Sequence, residues 1–550
     1  MAVRPAWAAW QDAERAADLV VIGAGVGGCA AALAASSAGL RVILTEETDW
    51  IGGQLTAQVV PPDEHPWIEE FGCTRAYRRF RNGVRDYYRD HYPLTPEARE
   101  RAQLNPGNGW VSRLCHEPRV GVAVLRQMLA PMISRGSLIL LTRTRPIAAE
   151  VDGDRVRSVT CQHLDSGRRI TLTAPLFADG TELGELLPLT GTEYRTGAES
   201  QAQTGEPHAG AECRPDNQQA FTVCFACEHL PGEDHTIDRP AEYAFWRDYV
   251  PEMQPPWPGP LFGWTYPYPR TLEPRTLTFD PTLKAGGVSL WTYRRLLDPG
   301  NFESGFLPSG VTLVNWPQND YLLGTLIDVA EEEKQRRIEQ AKELSRSLLY
   351  WMQTEAPRPD GGTGWPGLRL RADITGTPDG MAKTPYIREA RRIESLFRVT
   401  ELHIGTDPRM RETGKSKEAV RATPFQDSVG IGAYRIDLHP STGGDNYIDL
   451  DTLPFQIPLG ALIPKRVENL LACAKNIGTT HITNGAYRVH PCEWNIGESV
   501  GHLAAYCKDT GRLPHQVHGT ASAMEEFQKR LVELGVELAW PSEPGAIRSL

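Results

Sequence analysis

The first strong pattern in the chain is a run without polar positions, Leu19-Val20-Val21-Ile22, which breaks at Gly23. A short continuous apolar run predicts a strand buried on both faces, as in a parallel sheet. An alanine-rich stretch from Gly28 to Gly39 predicts a small-residue helix, and Arg41 to Thr45 predicts a second buried strand. Strand, glycine turn, helix and strand form a βαβ unit. Apolar positions at Val122, Leu125, Met128, Leu129 and Met132 have helical spacing over 119–135. Four strands are then expected at 137–142, 146–151, 155–164 and 168–174, with turns at Asp152-Gly153-Asp154 and Asp165-Ser166-Gly167. They read as an antiparallel meander that leads into Leu176 to Thr181.

Other stretches lack this regularity. Residues 60–115 are rich in Pro, Arg, Tyr and Asn and read as a long insertion over the sheet edge or the active site. Residues 190–450 are rich in Pro, Trp and Tyr, with one amphipathic helix near 324–352. Residues 455–511 return to strand, glycine turn and helix, and a last helix is expected over 521–534. The expected fold class is α/β: a Rossmann-like nucleotide-binding domain with a parallel sheet and an antiparallel meander, plus an α+β substrate domain. The expected organisation is an N-terminal extension (1–17), a nucleotide-binding domain in two parts (18–189 and 455–511), a substrate or cap domain (190–454), and a helical tail (512–550).

At 550 residues the chain is too long for one ordinary core. Its net charge of −11 argues against nucleic acid or an anionic membrane as partner. The start, with Asp12, Glu14 and Arg15, does not read as a signal peptide, and no apolar run has transmembrane length, so cytoplasm is the expected compartment. Ten cysteines without paired zinc spacing predict neither a disulfide scaffold nor a metal site. Cys224-Phe225-Ala226-Cys227 reads as a buried strand whose thiols act as small hydrophobes.

The most informative motif is Gly23-Ala24-Gly25-Val26-Gly27-Gly28, which fits G-x-G-x-x-G. Gly23 permits the turn out of the strand, Gly25 lets the backbone approach a pyrophosphate, and Gly28 lets the helix sit close to the sheet. The helix N-terminus offers free N–H groups to phosphates. Glu46, at the end of the second strand, is spaced to accept ribose hydroxyls, and Glu47 is its neighbour for that role.

The motif alone leaves the dinucleotide open. With Trp50-Ile51-Gly52-Gly53-Gln54, Ala178-Asp179-Gly180, 469–476, 483–491 and Asn495 to Gly501, the chain resembles the glutathione-reductase-like FAD superfamily. It is more closely similar to the FAD-dependent oxidoreductases related to fumarate reductase and succinate dehydrogenase flavoproteins. Pro385 to Ile393 and Ile457 to Pro464 carry the same resemblance. The resemblance implies FAD as cofactor. Gly23, Gly25, Gly27, Gly28, Glu46 and Glu47 would hold its ADP half. Gly52, Gly53 and Gln54 would pass beside the ribityl chain or flavin, and the backbone near Pro146 and Ile147 would meet the adenine. Asp179 lies in a shifted version of a family turn. Gly485, Arg488 and the helix after Gly497 would close over the flavin.

Three clusters offer chemistry: Arg113 to Glu117, His490 to Trp494, and Asn315 to Asp320. His490, with Glu493 nearby, is the leading base, because neutral imidazole can take a proton while hydride leaves. A hydrogen bond from His490 to flavin or backbone is the equal alternative. His116, beside Arg113 and Glu117, is either a base or part of a helix-start ion pair. Arg388, Arg391 and Arg392 read as charges on a solvated helix face, with Arg388 as a possible anion ligand. Tyr266, Tyr268, Trp264 and Trp291 either line a pocket or fill core. No second glycine-rich βαβ motif occurs, so electrons are expected to leave to oxygen or an external acceptor. The expected activity is hydride abstraction from a small polar alcohol or amine. Reduction of an activated double bond and non-catalytic flavin binding are the alternatives.

Overall fold

The computed structural model of the protein describes residues 14–283 and 288–541. Most of the expected N-terminal extension, and the end of the expected tail, lie outside the described residues.

The structure is mixed α/β. Strands β1 (Glu14–Ala16), β2 (Leu19–Ile22), β3 (Val42–Thr45), β4 (Leu138–Leu141), β5 (Thr144–Asp152), β6 (Arg155–His163), β7 (Arg169–Thr173) and β8 (Leu176–Asp179) belong to two sheets. The first is a five-stranded sheet in the order Leu470–Ala472, β8, β2, β3, β4, and all of its pairs are parallel. Ile22 pairs with Thr45 on one side and with Asp179 on the other. Three strands therefore end together, at Gly23, Glu46 and Gly180. In an open parallel sheet this carboxyl edge is where ligands bind. The second sheet has the order β1-β7-β6-β5. The meander is thus three strands long. The run expected at its head, 137–142, instead forms the outer strand of the parallel sheet, because Leu138 and Leu141 are buried beside β3.

Helix α1 (Val26–Ser37) starts at Gly25, which caps it without a side-chain hydrogen bond of its own, and the N–H of Gly27 in its first turn is met by Glu493. Its alanines are buried on every side, between the sheet and the His490–Thr510 helix. This packing is backbone on backbone. A Cβ on Gly27 would lie 1.8 Å from the Cys473 carbonyl oxygen, and one on Gly497 would lie 1.9 Å from that of Gly27.

Two readings of the pattern need correction. Residues 60–115 contain helix α2 (Arg75–His91), whose buried face is Tyr77, Phe80, Arg81, Val84, Arg85 and Tyr88. Its stripe looks polar because two of its core positions are arginines, neutralised by Glu64 and Glu69. Residues 386–391 are not helical, and the segment ends in the two-residue strand Arg392–Ile393. Its arginines are buried rather than solvated. Arg388 pairs with Asp320 at 3.0 Å, and Arg392 pairs with Glu199 at 3.0 Å and with Glu389. Buried charges need such partners.

Phe225–His229, Val311–Val314, Arg295–Leu297 and Leu368–Leu370 form a separate antiparallel sheet. Cys224 and Cys227 lie in this apolar interior, and burial raises both thiols. The amphipathic helix runs from Glu331 to Thr354. No helix among the described residues is long and apolar enough to cross a membrane.

Replacing Gly497 with Ala forces a methyl group into the Gly27 backbone. Overpacking of this kind costs about 3 kcal/mol. The expected result is a clear loss of stability in urea unfolding; an unchanged midpoint would show that the two helices can part.

Candidate active site

The carboxyl edge of the parallel sheet opens into a cavity lined by Gly23, Gly25, Thr45, Glu46, Glu47, Gly53, Thr144, Pro146, Gly180, Thr181 and Glu182, among others. Gly23 has φ +90°, a left-handed turn that side chains disfavour, and a Cβ there would lie 2.6 Å from the Gly180 backbone. Glu46 stands at the far side. Its Oε2 accepts the Ala24 N–H at 3.1 Å, and its Oε1 accepts the Thr48 N–H at 2.9 Å. Burial pushes the Glu46 carboxyl up to about 8 and that of Glu47 to about 7.

Charged groups gather at the start of α1. The buried Lys475 pairs with Glu182 and lies 3.6 Å from Glu493. Glu182 Oε1 is buried without a hydrogen bond and lies 2.9 Å from where a Gly25 Cβ would be, and 2.3 Å from a Gly53 Cβ. Glu493 Oε1 accepts the Gly27 N–H at 3.3 Å. Carboxylate oxygens thus stand at a helix N-terminus and beside a lysine, where phosphate oxygens would find the same donors. Burial raises the Glu493 carboxyl, with Lys475 opposing the shift. Gln54 joins this centre to the next, because its Nε2 donates to Glu493 and, at 3.0 Å, to the Arg488 carbonyl.

Arg488 leads into a second cavity, an inner chamber of about 150 Å³. Its wall includes Asp63, Tyr293, Arg294, Asn315, Trp316, Tyr386, Arg388, Tyr434, Asp437, His439 and Tyr447. Trp110, Arg275, Tyr293, Tyr434 and Asp437 also line a wider outer mouth. Asp320 supports the chamber from behind: its Oδ1 lies 3.0 Å from Arg388, and its Oδ2 lies 2.7 Å from His439 Nδ1. Burial acts to raise the Asp320 carboxyl, but Arg388 and His439 outweigh it and hold it low. Burial, then Arg388, lowers His439, so its imidazole is neutral near pH 7. Nδ1–H therefore donates to Asp320, and Nε2 keeps its lone pair.

The residues expected to act separate on this map. Of the three clusters, Asn315 to Asp320 reaches the chamber. Asn315 lines it and Asp320 backs it, whereas Asn319 turns inward to the Val223 carbonyl. His490 is fully buried, and its Nδ1 accepts the Asp63 N–H at 2.9 Å. Burial lowers it to about 3, and its lone pair is already engaged. His116 is buried with Nδ1 on the Glu117 carbonyl at 2.8 Å, and burial lowers it to about 4. Glu117 accepts from Tyr88 and Tyr92 rather than pairing with Arg113, which is exposed. Asp179 holds its own turn by accepting from Thr181 and Leu186. Gly485 is packed on the Asp437 backbone, as Gly497 is on Gly27. Ile147 follows Pro146 on β5. Tyr266 and Tyr268 line the cavities, while Trp264 and Trp291 pack among core aromatics. His439 was not singled out by sequence. Its only local signal is a histidine before a proline at 440, and Asp320 is remote in sequence.

A parallel sheet with a glycine turn and a helix start at its carboxyl edge is the arrangement of a dinucleotide-binding domain. Residues 18–531 match the model of the FAD dependent oxidoreductase family, and the chain belongs to that family. The family is FAD-dependent, and the glycine turn and Glu46 at the carboxyl edge of the sheet are the residues that would hold such a cofactor. The chain is also similar to L-proline dehydrogenase from P. horikoshii (13% identity, 34% of this chain, 24% of that one, TM-score 0.18). A second likeness is to glycerol-3-phosphate dehydrogenase from Bacillus halodurans complexed with FAD (12% identity, 39% and 40% covered, TM-score 0.22). A third is to quinol fumarate reductase FrdA from E. coli (12% identity, 94% and 74% covered, TM-score 0.31). The chain thus spans well under half the length of the first two. No curated protein matches it.

Two measurements probe the cradle. Gly25→Asp is expected to abolish FAD binding by filling the pyrophosphate approach, read as the flavin-to-protein absorbance ratio; full flavin content would refute the placement. The raised Glu46 carboxyl gives flavin-free protein stability that is present at low pH and lost as pH rises from about 4.5 toward 8. Glu46→Gln is expected to shrink the fall in Tm between pH 5 and pH 8, and parallel curves would remove Glu46 as the cause.

Proposed function

We propose that this enzyme oxidises a small polar alcohol or amine, or desaturates it, with His439 as the base. The Asp320–His439 pair on the chamber wall is the observation that carries this reading. An ionised Asp320 fixes the tautomer and stabilises the imidazolium once it forms. For an alcohol, the hydroxyl proton passes to His439 Nε2, the C–H pair leaves as hydride, and the C–O bond becomes C=O. FAD, when bound, would supply the hydride acceptor and a route for the electrons to oxygen or an external acceptor.

The chain's own residues set the stage for that step. Gly23, Gly25 and Glu46, which line the cavity at the sheet's carboxyl edge, would hold the ADP half. Gln54 ties Arg488 to Glu493 between cradle and chamber. The aromatic wall formed by Tyr293, Tyr386, Tyr434 and Tyr447 limits water beside the reacting carbon. Kinship with the glutathione-reductase-like superfamily, and with the fumarate reductase branch, belongs to the same proposal.

A second reading has one observation in its favour. Arg388 and Arg488 line the chamber, and arginine can serve as the proton donor in reduction of an activated double bond.

Anaerobic bleaching separates the two readings. A panel of alcohols, amines and their acids is expected to bleach the bound flavin. Bleaching by dithionite alone, with reoxidation by an enoate, would replace oxidation with reduction. His439→Ala is expected to keep FAD and slow substrate bleaching about 10²–10⁴-fold. An unchanged rate would remove His439 as base.

A further inference from the structure

Three guanidinium groups reach the inner chamber from distant parts of the chain: Arg294, Arg388 and Arg488. They are 8%, 2% and 4% exposed. Each is only partly used. Arg294 donates to Asp63 at 3.0 Å. Arg388 donates to the Ala220 carbonyl at 2.8 Å and to Thr222 at 2.9 Å, beside its ion pair with Asp320. Arg488 donates to the Asp437 carbonyl at 2.9 Å and to the Tyr386 hydroxyl at 3.3 Å, with the Asp437 carboxylate at 3.4 Å.

The Nε–H of all three arginines is buried without an acceptor. The same holds for Asn315 Nδ2, Trp316 Nε1 and the Tyr447 hydroxyl, all on residues of the same wall. Five of these six groups can only donate. An unpaired buried donor is costly, and such groups are rare in native interiors. A wall that gathers them calls for acceptor oxygens.

Charge points the same way. Arg275, which lines both the chamber and its mouth, stacks 5.0 Å over Tyr268 and has no ion pair among the described residues. The cations Arg275, Arg294, Arg388 and Arg488 number four, against three carboxylates, Asp63, Asp320 and Asp437. Asp63 and Asp320 are held ionised, because neighbouring charges, led by Arg294 and by Arg388, overcome the effect of burial. With His439 neutral, the enclosed site is one negative charge short. The volume of about 150 Å³ suits a molecule of benzene's size.

We propose that the inner chamber binds the carboxylate of a small organic acid. On the oxidation reading above, on which this inference rests for its reaction, the substrate is then a hydroxy or amino acid rather than a neutral alcohol. Its carboxylate meets the positive wall that Arg275, Arg294, Arg388 and Arg488 form, and its hydroxyl or amine faces His439.

The test is calorimetric titration of the FAD-loaded enzyme at low ionic strength with malonate and with its neutral isostere malonamide. Malonate is expected to bind at least about tenfold tighter than malonamide, and Arg388→Gln or Arg488→Gln to weaken malonate about tenfold or more. Equal affinity for the two probes, or no malonate binding at millimolar concentration, would overturn the site even if neither variant folds. The two readings fail separately. Malonate binding without bleaching by any hydroxy or amino acid supports the anion site and ends the oxidation reading. Bleaching by neutral alcohols without malonate binding ends the anion site alone.

Discussion

The contact between Gly27 and Gly497 is the constraint on which the rest of the structure depends. Two helices touch there with no side chain between them, and the start of the first also lies against the carbonyl of Cys473. Such close backbone approach locks the last third of the chain to its beginning. It sets Glu493 against the Gly27 N–H at the start of α1, with Lys475 3.6 Å from Glu493. It also holds the turn at Arg488 so that the carbonyl meets Gln54 while the guanidinium lines the chamber. Cradle and chamber are therefore one rigid construction whose parts come from opposite ends of the sequence.

Around that construction the interior is unusually rich in charge, and each charge has a task that its partner defines. Arg81 and Arg85 let α2 pack its polar-looking face by meeting Glu64 and Glu69. Arg392, Glu199, Glu389 and His481 neutralise one another in the core beneath the chamber. Burying ions is expensive unless they are paired, so these networks are bound to one geometry. Unpaired Nε–H groups occur in both places, on Arg392 of the core network as on Arg294, Arg388 and Arg488 of the chamber wall.

Asp320 shows how a buried charge becomes chemistry. It is shared between Arg388 and His439, so it stays ionised in an apolar setting and dictates which imidazole nitrogen carries hydrogen. His490 has the opposite fate. It sits in a motif that draws attention, yet burial keeps it neutral and a backbone N–H occupies its lone pair. Position near a cofactor motif does not by itself leave an imidazole nitrogen free.

The sequence by itself determined the βαβ unit, the glycine loop, the acid at Glu46 and most strands of the meander. These features are local: strand and helix periodicity, and a turn that only glycine can make, are written in neighbouring residues. It also determined the flavin class, through motifs spread along the chain. Tertiary structure decided where the charges went. Arg388 and Arg392 read as a solvated helix face because their partners, Asp320 and Glu199, lie far away in sequence. Helix α2 hid for the same reason. The Asp320–His439 pair was decided the same way, because the two side chains are brought to 2.7 Å across 119 residues of chain. Hydrophobic periodicity records what a residue buries; it does not record which distant charge permits the burial.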